Sequence, residues 1–156
     1  MIFETLTPEI TETYSIDPDY LTVLDDRLKS DSSCKAAMFE MLIFSKFNEC
    51  VAIHTGNYSV EWRVIELSNG GFYFCPAVER MYPVTVGPGS AQMSNHQLGM
   101  ALTYDILACL VKRTGDQSFQ EALEALKNYV YEDCRFYAVE GVKSYLYYAN
   151  HVKIGG

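Results

Sequence analysis

Residues 1–15 carry no regular alternation of apolar and polar positions, which predicts an extended N-terminal arm. Helical spacing begins behind Asp17-Pro18, an N-cap aspartate followed by proline at the first helical position. Leu21, Leu24 and Leu28 form one apolar stripe there, so a first helix is expected to run to about Lys29. Ser30-Asp31-Ser32-Ser33 breaks it, and a second helix follows to about Asn48. Ala37, Met41 and Phe44 lie on one side of that helix, and Phe39, Leu42 and Ile43 widen its apolar face.

His54-Thr55-Gly56-Asn57 reads as a turn, and the rhythm then changes to that of strands. Val60 to Leu67 is rich in Trp, Val and Ile, Ser68-Asn69-Gly70-Gly71 interrupts it, and Phe72 to Cys75 resumes it. Asn-Gly between two such runs predicts a tight hairpin, because both residues tolerate the positive φ that a primed turn requires. Tyr82 to Val86 is expected to complete an antiparallel meander, which Gly87-Pro88-Gly89 ends. Ser94-Asn95-His96-Gln97 has the spacing of a capping box. The helix it opens, to about Arg113, is apolar on most sides and is expected to be buried. Its weakly polar stripe is Gln97, Ala101, Asp105, Ala108 and Lys112. Thr114-Gly115 stops it, and Ser118-Phe119-Gln120-Glu121 suggests a second capping box, with a helix to about Tyr131. A last helix over Val139 to Ala149 carries Val142, Leu146 and several tyrosines. The pattern is that of one α+β domain over residues 1–156. A small antiparallel β-meander of about three to four strands packs against four to five helices, one of them central and buried.

Composition changes this picture little. A chain of 156 residues can bury roughly 70% of its unfolded surface, enough for a core without metals or disulfides. No secretory signal is seen, and no apolar run approaches the ~18 residues of a membrane span, so the expectation is a cytoplasmic protein. The five cysteines (Cys34, Cys50, Cys75, Cys109, Cys134) are odd in number and scattered, as buried free thiols would be. Charge says more. The net −8 is concentrated in residues 1–50, which hold ten acidic and four basic side chains. Such a chain repels phosphate backbones, so direct nucleic-acid binding is not expected, whereas a basic protein surface is a plausible partner.

Catalytic patterns are sparse. There is no G-x-S-x-G elbow, and Gly87-Pro88-Gly89-Ser90 lacks the Lys-Ser/Thr of a phosphate loop. His54, His96 and His151 are far apart, and Cys50 with His54 cannot fill a zinc sphere. No cofactor or metal is expected. Asp105 is the one carboxylate on the apolar helix; a perturbed ionisation there is weighed against the plainer reading, a partly exposed residue on the small-residue stripe. Tyr129, Tyr131, Tyr137, Tyr145, Tyr147 and Tyr148 crowd the C-terminal region, where some suit partner binding. The candidate partner surface is Asp25, Asp26 and Asp31 with Tyr145 and Tyr148.

The segment Trp62 to Pro76 resembles the signature of the KlcA/ArdB antirestriction family. Trp62, Leu67, Asn69, Gly70, Gly71, Phe72, Tyr73 and Pro76 fall in register with it without a gap. Met93-Ser94 with the Gly99-containing helix, and Leu126 to Val130, are similar to two further family segments. Val64 and Ile65 stand where the family has aromatics, and its His-Pro-Glu-Ala turn is absent, so the resemblance is that of a distant member. It implies a cofactor-free, non-enzymatic protein of plasmids, phages or other mobile DNA, acting against a host type I restriction-modification complex. It brings no catalytic residue with it. Two other readings stay open: an acidic DNA mimic that inhibits a nucleic-acid enzyme, and a small enzyme with a site near Asp105 or His96.

Overall fold

The computed structural model describes residues 10–14, 28, 34–51, 61–67, 69–86 and 89–130. Five strands and three helices lie within them. In chain order these are β1 (Ile10–Tyr14), α1 (Cys34–Cys50), β2 (Trp62–Leu67), β3 (Phe72–Pro76), β4 (Tyr82–Val86), β5 (Gly89–Met93), α2 (Asn95–Thr114) and α3 (Gln117–Asn128). The class is α+β. Three helices stand against the four to five expected. Of the expected first helix only Leu28 is described, helical and fully buried, and the last lies outside the described residues.

The sheets correct the meander. β2 and β3 form the expected antiparallel hairpin, with Val64 opposite Phe74. The third strand of that sheet is β1, which pairs with the far side of β2 from Ile10↔Leu67 to Tyr14↔Arg63. Of the predicted N-terminal arm, Ile10–Tyr14 is thus extended but built into the sheet. β4 has the expected bounds, yet it pairs with β5 in a separate two-stranded sheet, Tyr82 opposite Met93. The stretch Gly89-Ser90-Ala91-Gln92-Met93 has low β-propensity, and Ser90, Ala91 and Gln92 are exposed. The ladder to β4, rather than its own composition, makes it a strand.

The hairpin loop also differs from the expected primed turn. Leu67 N–H donates to Gly71 O at 2.8 Å, so three positions rather than two separate the paired residues. Gly70 N–H donates back to Leu67 O at 3.1 Å, and Gly70 alone of the two loop glycines has positive φ, at 94°. A three-residue loop with glycine in this place is the next commonest hairpin connection.

The buried face of α1 is rotated from the one expected. Ala36, Phe39, Ile43, Phe47 and Cys50 are buried, while Ala37 is exposed and Met41 is 71% exposed. Two phenylalanines and an isoleucine offer more apolar area than Ala37, Met41 and Phe44. Each such side chain gains about 1.5–3 kcal/mol on burial, which decides the face. Phe39 meets Phe72 edge-on at 5.6 Å and Phe74 at 5.2 Å, and Phe47 and Phe44 flank Trp62.

α2 is buried along most of its length, as predicted. Its capping box forms as the sequence indicates. Gln97 N–H donates to Ser94 Oγ at 3.2 Å, and Ser94 N–H donates to Gln97 Oε1 at 2.7 Å. Gly115, at φ 67°, ends it. The N-cap of α3 is Asp116, two residues earlier than the expected Ser118 box, and its carboxylate accepts from Ser118 N–H at 2.8 Å.

Lys35 of α1 closes this corner, donating to Asp116 Oδ1 at 3.2 Å and to Ser118 Oγ at 2.9 Å. Hydrogen bonds from Ser118, then from Lys35, hold the Asp116 carboxyl down from its ordinary 3.8 to about 2. A depressed folded-state value adds stability that is present above about pH 4 and is lost as pH falls towards 2. Asp116→Asn keeps a good cap but not this dependence. Acid unfolding between those pH values is therefore expected to be shallower in the variant. Parallel curves in a pH-resolved urea titration would refute the assignment.

Candidate functional site

Among the described residues β3 is a sheet edge, with β2 on one of its sides. Backbone groups on the open side of a buried strand need partners. α2 supplies them from two positions eight residues apart, on one face of the helix. Thr103 Oγ1 accepts from Phe74 N–H at 2.9 Å, and Asn95 Nδ2 donates to Pro76 O at 3.0 Å. Between them Gly99 lets the helix backbone touch the strand: a Cβ there would lie 2.0 Å from Phe74 O. Asn95, Gly99 and Thr103 are all buried, and α2 thus covers the edge as a further strand would.

The eight residues singled out in the 62–76 segment gather around this edge. Trp62, Leu67, Phe72, Tyr73 and Pro76 are buried in or beside the core. Tyr73 places its hydroxyl 2.8 Å from His96 Nδ1, at the start of α2. Asn69 is exposed and bridges the hairpin to α3. Its Nδ2 donates to Ala125 O at 2.9 Å, and its Oδ1 accepts from Gly71 N–H at 3.0 Å. Gly71 is required by that docking rather than by the turn, since a Cβ there would meet Ala125 Cβ at 2.9 Å. The motif is a joint, seating two helices on one hairpin.

Asp105 is not the partly exposed residue expected. It is 5% exposed, facing α1, where Lys46 Nζ lies 3.7 Å from Oδ2 and 3.6 Å from Glu49 Oε1. Burial pulls the Lys46 ammonium down, but Asp105, Glu49 and Cys50 together outweigh it and hold it above the ordinary lysine value. The neighbouring Ala101 is fully buried too, so the middle of the supposed polar stripe is an interhelical contact. The Asp105–Lys46 pair ties α2 to α1.

Among the described residues, no three His, Cys, Asp or Glu side chains come together as a metal-holding group, and no helix is long and apolar enough to cross a membrane. Cys50, Cys75 and Cys109 are free thiols. Asp25, Asp26, Asp31, Tyr145 and Tyr148 lie outside the described residues; Tyr129 is buried.

A surface feature that sequence reading missed lies just after β3. Val78 is 56% and Met81 51% exposed, with Glu79 and Arg80 exposed between them. This turn is pinned from several directions. Ala77 N–H donates to Glu61 O at 2.8 Å, Arg63 Nη2 donates to Ala77 O at 2.9 Å, and Tyr82 Oη donates to Val78 O at 3.0 Å. The Arg80 guanidinium sits over the Tyr82 ring at 5.3 Å. Two apolar side chains are thus held in solvent on a fixed turn. Nothing in the local pattern distinguishes them from core residues, since Val78 and Met81 flank strands that are themselves apolar.

Neither the protein-family models nor the curated proteins contain a match to this sequence. Among solved structures, the chain is similar to that of the KlcA and ArdB proteins, described as showing a novel fold and antirestriction activity against type I DNA restriction systems in vivo but not in vitro. The TM-score is 0.67 at 16% identity, over 91% of this chain and 99% of that one. The fold implied by the Trp62–Pro76 resemblance is therefore the fold found: this chain shares the fold of the KlcA and ArdB proteins.

Proposed function

We propose that this protein is an antirestriction factor, encoded on mobile DNA and acting in the cytoplasm, which blocks a host type I restriction-modification system by protein–protein contact and without catalysis. The observation that carries this reading is the near full-length match of fold to the KlcA and ArdB proteins, joined to the ungapped 62–76 segment. The pinned Val78–Met81 turn offers the kind of contact such a mechanism needs, with apolar side chains held in place before binding so that little ordering entropy is lost. Charge mimicry of DNA is less well supported. It needs a row of carboxylates, and among the described residues Asp105, Asp116 and Glu49 each face a lysine, while Glu61, Glu79 and the α3 pair Glu121 and Glu124 lie on three separate segments.

The test is plating of unmodified phage on a type I restricting host with and without the protein. Protection of about tenfold or more is expected, and Val78→Asp combined with Met81→Asp is expected to remove it while leaving the fold intact, because both residues are exposed. Equal restriction with and without the protein would sink the reading. Full protection by the folded double variant would sink the assigned surface.

A further inference from the structure

The Asn69–Gly70 pair has a chemistry that the fold holds in check. In Asn-Gly the amide nitrogen of the glycine can attack the asparagine side chain, because glycine has no side chain to hinder the approach. The bond from Gly70 N to Asn69 Cγ forms as that from Cγ to Nδ2 breaks. Ammonia leaves, carrying the amide proton, and a cyclic succinimide remains. Water then opens the ring at either carbonyl and gives aspartate or isoaspartate. Solvent must reach the site, and Asn69 is exposed.

In the folded protein every group that must move is held. The Gly70 N–H that must lose its proton donates to Leu67 O at 3.1 Å. The Asn69 carboxamide is fixed at both ends, Nδ2 on Ala125 O at 2.9 Å and Oδ1 on Gly71 N–H at 3.0 Å. It cannot turn its carbon towards Gly70 N without breaking both bonds, and one of the two belongs to α3. Gly71 packs against Ala125 in the same contact, so the restraint lasts as long as α3 is docked. We infer that Asn69 is a succinimide-forming modification site gated by docking of α3 on the β2–β3 hairpin: closed in the assembled fold and opened when α3 leaves.

The product would also keep the gate open. A carboxylate at position 69 places an acceptor where a donor faced Ala125 O, and Ala125 lies in the last turn of α3, the negative end of the helix dipole. Isoaspartate would further lengthen the backbone between Leu67 and Gly71, whose pairing sets the loop. Release of α3 followed by conversion is therefore irreversible for this joint, independently of whether the protein blocks restriction.

The experiment is peptide-mapping mass spectrometry of the full chain incubated in mildly alkaline buffer at physiological temperature, native and urea-unfolded. Conversion at Asn69 is expected to be at least about tenfold slower in the native chain, since modification follows the population of the open form. Leu126→Ala, which weakens the buried α3 contact, is expected to speed conversion in step with hydrogen exchange of the α3 amides. Conversion at one common rate in the native and unfolded chains, or in neither, overturns the proposal. So does a native-like rate in a folded Leu126→Ala variant whose α3 amides exchange fast.

Discussion

Gly99→Ala is expected to lower stability by about 3 kcal/mol or more, although alanine is the better helix former by about 1 kcal/mol. The reason is what the added methyl would meet. It would lie 2.0 Å from Phe74 O, 2.9 Å from Cys75 Cα and 3.0 Å from Phe74 C, all backbone atoms of a buried strand. No side-chain rotation relieves such an overlap. α2 must move away from β3, and that movement stretches the Thr103 and Asn95 hydrogen bonds on either side. Gly115→Ala is the internal comparison. There the strain is in the backbone, at φ 67°, with nothing within 4 Å of the new methyl, so a loss of about 1 kcal/mol is expected. Denaturant unfolding of the two variants beside the parent protein decides it. If Gly99→Ala is no less stable than Gly115→Ala, the close helix–strand approach is wrong.

Lys46→Met is the second large effect. The ammonium lies against a carboxylate that is 5% exposed, and removing it leaves Asp105 buried beside an apolar chain with Glu49 nearby. Breaking a fully buried pair costs about 3–5 kcal/mol; because the Lys46 side chain is 22% exposed, about 2–3 kcal/mol is expected. Asp105→Leu in the same chain removes the buried carboxylate and is expected to restore much of the loss. A double-mutant cycle measures this coupling directly. Additive losses, with no recovery in the double variant, would show that the two groups do not stabilise each other. The pair serves packing of α1 on α2, which is how the single carboxylate of an otherwise apolar helix is accommodated.

The motif residues show how far identity can be legible without function being so. Trp62 to Pro76 carries the resemblance, and in this fold it encodes a joint: a hairpin with one edge open to α2 and a loop that receives α3. The residues that make the joint are buried or occupied with one another, and the surface beside it, Val78 to Met81, contributes nothing to the resemblance. Exposed apolar residues in a short turn have no periodicity to mark them, and only the bonds from Glu61, Arg63 and Tyr82 reveal that they are held outward.

Features whose partners lie within a few residues were determined by the sequence itself. The Ser94–Gln97 capping box, the Gly115 stop, the Tyr82–Val86 strand and the place of the β2–β3 hairpin all belong to this group. Their energetics are settled by one turn of backbone and a side chain three or four residues away, so local pattern suffices. Tertiary structure alone decided the partner of β4, the entry of β1 into the sheet and the buried face of α1. It also decided why Gly71 and Gly99 are glycines, and why Asp105 is buried. A strand's pattern states that one face is apolar but not which edge will pair with it. A helix with apolar residues on two faces buries whichever the assembled sheet rewards with more contact. A glycine called for by close approach looks, in sequence, the same as one called for by a turn.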